Sequence, residues 1–304
     1  MNKIYVFLIF SLLIIGCKER YESPVVSPTT GYLVVEGVVN SGQGGTVLTL
    51  SRTTKLDTRD IEYERGAQVK VEGEDKTTYT LLESQAGRYT AQNLNLNTAK
   101  KYRLNIKTSN GKVYLSDFVV VKNNPPIDSI TWKRGDGGVQ LSINTHDPLN
   151  NTRYYQWEYV ETWEFQSEFQ TFIKYDVKIS VNGVKTYSAV YRDTNNAQFF
   201  DSTQYYCWQT FNSAKILLGT TAKLNEDIVY LPLTLIPKAS IKLKLQYSIN
   251  VKQYSLTKDG YDFLDIVRKN TEQTGSIFDP QPSGVYGNIH NASDATEQIG
   301  RAHV

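Results

Sequence analysis

The sequence predicts a mainly β protein with two β domains, and three observations carry this prediction. The 304 residues include 21 Tyr, 11 Phe and 4 Trp but a single Met, and aromatic residues are enriched in strands. Short runs that alternate apolar and polar residues recur along most of the chain. Clusters of Gly, Asn, Asp and Pro separate these runs at short intervals, as turns do.

Residues 31–122 predict an N-terminal β-sandwich. The expected strands are Tyr32–Val39, Thr46–Arg52, Ala67–Glu72, Thr77–Glu83, Gly87–Ala91, Tyr102–Thr108 and Lys112–Val121. Asn110–Gly111, between two of these runs, is a strong hairpin signal. About seven strands in roughly 90 residues are typical of a sandwich, and their order resembles immunoglobulin-like or prealbumin-like modules. Asn123–Pro126 then ends the pattern, because its two prolines lack the amide donor of a strand.

Residues 126–298 predict a second, larger β domain. Its clearest strand, Arg153–Phe165, has a mostly polar face and a mostly aromatic face, the latter formed by Tyr155, Trp157, Tyr159, Glu161, Trp163 and Phe165. This alternation is typical of a sheet with one face in the core. Ile241–Val251 alternates in the same way. Further strands are expected at Tyr175–Val181, Tyr205–Phe211 and Ile228–Ile236. Pro232 places the last of these at an edge or beside a bulge.

One short α-helix is expected in this second domain, near residues 257–271. Tyr261, Leu264 and Val267 recur every three residues and form an apolar stripe. Thr257 can cap the first turn of such a helix through its hydroxyl oxygen.

The first seventeen residues resemble the signal of a bacterial lipoprotein. A short basic start precedes the apolar run Ile4–Ile15, which is shorter than the roughly 20 residues that span a bilayer and has the length of a signal-peptide core. Gly16–Cys17 follows, as in the lipobox, where cleavage before the cysteine exposes it to lipidation. We expect residues 1–16 to be the signal peptide and residues 17–30 a lipidated tether. An ordinary signal peptide with an incidental cysteine is the alternative.

Charge and motif content argue against several functions. A net charge of +2 is unlike that of nucleic-acid binders. The sequence contains no G-x-S-x-G, H-E-x-x-H, C-x-x-C or phosphate-binding Gly loop. The three histidines lie far apart, so neither a metal nor another cofactor is expected. With Cys17 lipidated, Cys207 has no partner for an intramolecular disulfide. We expect no enzymatic activity.

The aromatic face of the Arg153–Phe165 strand holds the candidate ligand site, comprising Trp157, Tyr159, Glu161 and Trp163. A buried ionised carboxylate is costly without partners, so either a basic residue meets Glu161 or that end of the strand opens to solvent. An open carboxylate between aromatic rings would suit a sugar or peptide ligand. The alternative is an ordinary core strand. A glycosidase would need a second carboxylate at a fixed distance, and the sequence singles out none.

Several strings in the sequence resemble one bacterial family. Besides the lipobox and the aromatic strand, they include Cys207-Trp208, Ile236-Pro237-Lys238, Val251-Lys252-Gln253-Tyr254, Gly275-Ser276-Ile277-Phe278-Asp279 and Gly287-Asn288-Ile289-His290. From about Cys17 to Asn291 the chain resembles the Bacteroidetes lipoprotein family catalogued as domain of unknown function 4249. The resemblance implies an outer-membrane or surface lipoprotein, often encoded near a TonB-dependent receptor. It implies no established activity and no agreed site residues.

The expected function is that of a non-enzymatic accessory lipoprotein. It would be held at the outer membrane by its N-terminal lipid, where it binds a ligand or a TonB-dependent receptor. Lys18–Glu22 resembles a surface-export signal, which favours the cell surface over an inward-facing location. A surface carbohydrate- or peptide-active hydrolase and a structural or adhesion module are the alternatives. Residues 299–304 resemble a translated sequencing adapter, so we expect them to be non-biological and the second domain to be truncated.

Overall fold

The structure, a computed structural model, describes residues 31–54, 60–168, 173–191, 205–272 and 287–300, the last six of them by their backbone. Twenty strands and one helix in these segments confirm the mainly β class. The elements are β1 (Leu33–Val38), β2 (Gly45–Arg52), β3 (Glu62–Tyr63), β4 (Gln68–Gly73), β5 (Thr78–Gln85), β6 (Arg88–Gln92), β7 (Lys101–Lys107), β8 (Val113–Ser116), β9 (Val119–Val120), β10 (Ile127–Gly135), β11 (Gly138–His146), β12 (Tyr154–Gln166), β13 (Ile173–Ile179), β14 (Lys185–Tyr191), β15 (Tyr206–Asn212), β16 (Leu217–Thr220), β17 (Ile228–Pro237), β18 (Gln246–Ser255), α1 (Lys258–Glu272), β19 (Ile289–Asn291) and β20 (Asp294–Gly300).

Eleven strands form the first sheet, in the order β1-β2-β6-β5-β4-β7-β8-β19-β20, with β3 beside β2 and β9 beside β7. The long strand β5 joins its two halves, since Leu81 pairs with Val69 of β4 and Leu82 pairs with Thr90 of β6. Buried residues from both halves belong to one core. The sheet therefore folds over itself about β5. The finer likeness to immunoglobulin-like or prealbumin-like modules stays a prediction.

The C-terminal strands return to the first sheet. Ile289 of β19 pairs with Ser116 of β8, and its side chain is buried in the core of that sheet. The strand β20 pairs with β19 and lies next to β1. The sequence predicts a second domain over residues 126–298, whereas the pairing of β19 joins the end of this range to the first sheet. A three-residue strand carries too little alternation to reveal its partner.

Two smaller sheets form a second sandwich. One has the order β10-β11-β17; the other is centred on β12, with β18 along one edge and β15 and β16 sharing the opposite edge. Ile143 and Leu233 of the first pack with Tyr155 and Trp157 of β12. The helix α1 contacts the other face of β12 through the Tyr154 and Tyr261 rings, whose centroids are 5.2 Å apart and whose planes are tilted by 47°. The strands β13 and β14 pair with each other and with no further described strand.

Several local predictions are confirmed. The aromatic face of β12 is its more buried face. Asn110–Gly111 turns the chain between β7 and β8, with the glycine N–H donating to the Thr108 carbonyl at 2.9 Å and a φ of +86°. The hydroxyl of Thr257 caps α1 by accepting from the Gly260 N–H at 3.1 Å. The strand β17 is an edge strand whose register shifts beside Pro232, as a missing amide donor requires.

Two predicted strands differ from the structure. Ile241–Val251 was expected to be one strand, but Ile241–Leu243 form a 3-10 turn and β18 begins after it. Ser240 caps this turn by accepting a hydrogen bond from the backbone N–H of Lys242 at 3.3 Å. Capping by a serine hydroxyl competes with the extended conformation that alternation favours. The expected strand Lys112–Val121 is divided into β8 and β9.

A buried glutamine fixes the linker to the second sandwich. The side-chain carbonyl of Gln253 accepts from the Trp157 indole N–H at 2.7 Å. Its amide nitrogen donates to the Pro125 carbonyl at 2.9 Å and lies 3.2 Å from the Thr145 hydroxyl. The Asn124 side chain adds a bond to the Gln253 backbone carbonyl at 2.8 Å. One side chain thus joins the linker, β11, β12 and β18.

We expect Gln253→Ala to lower the free energy of unfolding by about 2–4 kcal/mol, because the Trp157 indole N–H and the Pro125 carbonyl lose their buried partner. Gln246→Ala, at the exposed start of the same strand, is the matched control and should cost less than about 0.5 kcal/mol. Urea unfolding followed by circular dichroism measures both. Equal losses in the two variants would contradict this role for Gln253.

Candidate functional site

The four candidate residues of the sequence analysis lie on the inward face of β12. Trp157, Glu161 and Trp163 are 0%, 6% and 4% exposed. Tyr159 is half-buried and packs against the core of the second sandwich. Trp157 is held by Gln253, as described above. Trp157, Glu161 and Trp163 therefore present almost no surface to a ligand, whereas Tyr159 also lines the groove described below.

The Glu161 carboxylate is buried and has two partners, Lys242 just before β18 and Tyr247 near its start. The Lys242 ammonium lies 2.5 Å from Oε2, and the Tyr247 hydroxyl donates to Oε1 at 2.7 Å. Burial and the adjacent carboxylate raise the pKa of Tyr247 far above its usual range, which keeps it a donor. The same ammonium lies 4.7 Å from the ring centroid of Trp163, which also stacks on Phe211. Of the two alternatives left open by the sequence, a basic residue meets the carboxylate.

We expect Lys242→Met to lower the free energy of unfolding by about 2–3 kcal/mol, since it leaves the Glu161 carboxylate buried without a counter-charge. Adding Glu161→Gln should restore most of this loss. Lys258→Met makes the same change at an exposed ion pair with Asp262 and should cost less than about 0.5 kcal/mol. Chemical unfolding of the parent and the three variants tests this, and a double variant as unstable as Lys242→Met would argue against the pairing.

The outward face of β12 carries the candidate functional site, a groove of about 240 Å³ that we call the β12 groove. It opens between β15 and β16, where residues 213–216 stand opposite residues 158–159 and the extra residues bulge out of the sheet. Ser213 holds this bulge in place, donating its N–H to the Tyr159 carbonyl at 2.7 Å and accepting from the Tyr159 N–H at 3.1 Å. The lining residues are Gln156, Glu158, Tyr159, Val160, Asn212, Ser213, Ala214, Lys215, Ile216 and Lys252.

Positive charge exceeds negative charge in the β12 groove. Lys252 stands directly opposite Glu158 in the register of β12 and β18, and Lys215 lies on the bulge. Neither lysine forms an ion pair with another residue of the described segments. Glu158 instead accepts a hydrogen bond from the Tyr254 hydroxyl at 3.2 Å, and burial together with this carboxylate raises the pKa of Tyr254 to about 12. Among the described residues, the groove therefore offers two ammonium groups without an ion-pair partner beside one partly satisfied carboxylate.

The end of α1 fixes one wall of the β12 groove. The carboxylate of Glu272, the last residue of the helix, accepts a hydrogen bond from the Ile216 backbone N–H at 2.7 Å. The helix in turn rests on β12 through Tyr261 and Tyr154. The bulge is thus held by β12 on one side and by α1 on the other. Both contacts fix the backbone of the loop that carries Lys215.

A larger depression beside β3, of about 440 Å³, includes Arg52 in its lining. The guanidinium is already committed, because its Nε and Nη2 both lie 2.7 Å from one carboxylate oxygen of Glu64. The other oxygen accepts from the Ser109 hydroxyl at 3.0 Å and its backbone N–H at 3.2 Å. The basic group of this depression therefore serves the fold, unlike the lysines of the β12 groove.

Other predicted features are only partly covered by the described segments. Cys17 lies outside them, while Cys207 has a free, half-buried thiol. No group of three or more His, Cys, Asp or Glu within the described segments is placed to hold a metal ion. None of the described helices is both long and apolar enough to span a bilayer. Ile299 and Gly300 lie in β20, and residues 301–304 are outside the described part.

Fold and groove together define a mainly β protein in which a second sandwich presents a polar, net positive groove. A family model described as Domain of unknown function (DUF4249) matches residues 18–299. The chain belongs to this family, as the strings in its sequence predicted. No curated protein matches the chain.

Proposed function

We propose that the protein is an outer-membrane lipoprotein that binds an anionic polar ligand in the β12 groove and acts as an accessory partner of a TonB-dependent receptor. The observation that carries the binding role is the free charge of Lys215 and Lys252. A ligand carboxylate placed between them would make charge-assisted hydrogen bonds, which are stronger than neutral ones. Asn212 and Ser213 add polar groups to the same wall.

The membrane location is supported by the start of the sequence. The apolar run Ile4–Ile15 and the Gly16–Cys17 pair match a lipoprotein signal, and residues 17–30 contain the Pro, Ser and Thr of an extended tether. Several acyl chains on one cysteine give stable anchoring, at about 0.8 kcal/mol per buried methylene. Lys18–Glu22 supports display on the cell surface.

The charges near β12 favour binding over hydrolysis. A typical glycosidase places two carboxyl groups roughly 5–10 Å apart across one bond, whereas Glu158 is the one carboxylate that lines the β12 groove. Glu161 is on the opposite face of the strand, with Lys242 as its partner. A purely structural module gives no role to Lys215 and Lys252, which form no ion pair within the described segments.

The ligand proposal is tested with a matched pair of sugars. We expect galacturonate to shift the amide NMR signals of residues 212–216 and galactose, which lacks the carboxylate, to leave them unchanged. Lys215→Gln and Lys252→Gln should each weaken galacturonate binding by about tenfold, as loss of a charge-assisted hydrogen bond does. Lys133→Gln, on β10, controls for net charge. Equal responses to the two sugars would reject the anionic-ligand assignment.

The anchoring and partner proposals are tested in the cell. We expect Cys17→Ser to abolish lipidation and release the protein from the outer-membrane fraction, measured by fractionation and intact mass. The protein without the substitution, purified in mild detergent, should co-purify with a TonB-dependent receptor. A Cys17→Ser protein that stays membrane-bound at its normal mature size would refute the lipoprotein assignment. Purification without a receptor would refute the partner.

A further inference from the structure

The β13–β14 hairpin carries an exposed apolar face. Register places on one face the opposed pairs Ile173 and Tyr191, Tyr175 and Ala189, and Val177 and Tyr187, followed by Ile179 opposite Lys185. All six large side chains of this face are exposed, Tyr175 to 77%. A two-stranded hairpin is at best marginally stable in water by itself. Burial of this face in an apolar environment would therefore stabilise the hairpin.

The apolar side chains nearest the tip of the hairpin are aliphatic. Val181 and Val184 lie in the turn at the tip, the first of them fully exposed, and Ile179 adjoins them. The three tyrosines lie further towards the base, two of them opposite Val177 and Ile173. At a bilayer, aliphatic side chains enter the hydrocarbon and tyrosines remain at the headgroup level. An aliphatic tip with every tyrosine set back from it fits insertion of the tip into a lipid surface.

Positive charge flanks the tip of the hairpin. Lys178 and Lys185 are the charged residues nearest the turn, one on each strand. Asp176 is the one carboxylate of residues 173–191 and lies further from the tip, on the polar face. Lysine stems reach along apolar surfaces while their ammonium groups stay in water. Anionic headgroups would therefore meet the two lysines when the tip enters the lipid.

Part of the backbone of the turn is satisfied within the hairpin. The Ser180 N–H donates to the Val184 carbonyl at 2.9 Å, and the Gly183 N–H donates to the Ser180 carbonyl at 2.8 Å. The Val184 N–H donates to the Ser180 hydroxyl at 3.2 Å. An unpaired backbone group costs several kcal/mol in hydrocarbon, so these bonds reduce the cost of moving the turn out of water.

We propose that the tip of the β13–β14 hairpin inserts into an anionic lipid surface, to a depth of about 5–10 Å as amphipathic surface elements do. Val181, Val184 and Ile179 would lie at the acyl boundary, with Lys178 and Lys185 among the headgroups. The insertion goes beyond the proposed ligand-binding function and does not require the β12 groove. A lipid at Cys17 would act in addition, by holding the hairpin close to the bilayer.

The test uses a tryptophan placed at the tip of the full chain. Val181→Trp is compared with Leu82→Trp, a control on the exposed surface of β5, after each is mixed with excess phosphatidylethanolamine–phosphatidylglycerol vesicles that contain acyl-brominated lipid. The fluorescence of the new tryptophan is the difference between Val181→Trp and the parent protein. We expect bromine to lower this difference by roughly twofold or more, because insertion brings the tryptophan to the depth of the acyl chains. The signal added by Leu82→Trp should be unchanged.

The lysines and the type of partner are tested in the same system. Adding Lys178→Gln and Lys185→Gln to Val181→Trp should reduce the quenching on anionic vesicles.

Absence of extra quenching at position 181 overturns the proposal. Flotation of the vesicles reports separately whether the chain is anchored through Cys17. If the hairpin is protected from deuterium exchange by a co-purified receptor but not by vesicles, its occupant is a protein and the lipid proposal is overturned.

Discussion

The second sandwich depends on one buried amide, that of Gln253. A carboxamide is both donor and acceptor, and here the acceptor meets an indole N–H of β12 while the donor meets the carbonyl of Pro125. An apolar side chain would leave both groups unsatisfied, and a carboxylate could not donate to the carbonyl when ionised. Neither a charged nor an apolar side chain at position 253 could therefore attach the linker to the sandwich in the same way.

The two faces of β12 show opposite ways of handling charge. On the inward face, Glu161 meets an ammonium and a phenol, so its charge is consumed by the fold. On the outward face, Glu158 carries one negative charge, whereas Lys215 and Lys252 carry two positive charges. Successive residues of a strand point to opposite sides, so positions only three apart along the chain serve stability on one side and recognition on the other.

The features that sequence predicted are those recorded in local periodicity. The helix and the aromatic strand each contain a complete pattern within one segment. Seven described strands have no counterpart among the predicted ones. β10 and β14 are mostly exposed, β11 is interrupted in its alternation, and β3, β16 and β19 are at most four residues long. β20 contains only two apolar residues, Ala295 and Ile299, and they do not alternate over the strand. The partner of Glu161 is 81 positions away, and the β12 groove arises from extra residues in a register. Both are products of long-range pairing, which a single sequence does not display.

The return of β19 to β8 makes the second sandwich an insertion within the first. Residues 117–288 separate the paired positions Ser116 and Ile289, so the first core lacks one of its fully buried side chains until the C-terminal segment arrives. During synthesis, β8 remains an unpaired edge through most of the chain, and unpaired edges promote misassembly. Closing so long a loop is also slow. The sandwich that begins first therefore finishes last, and an interruption inside the second sandwich leaves both incomplete.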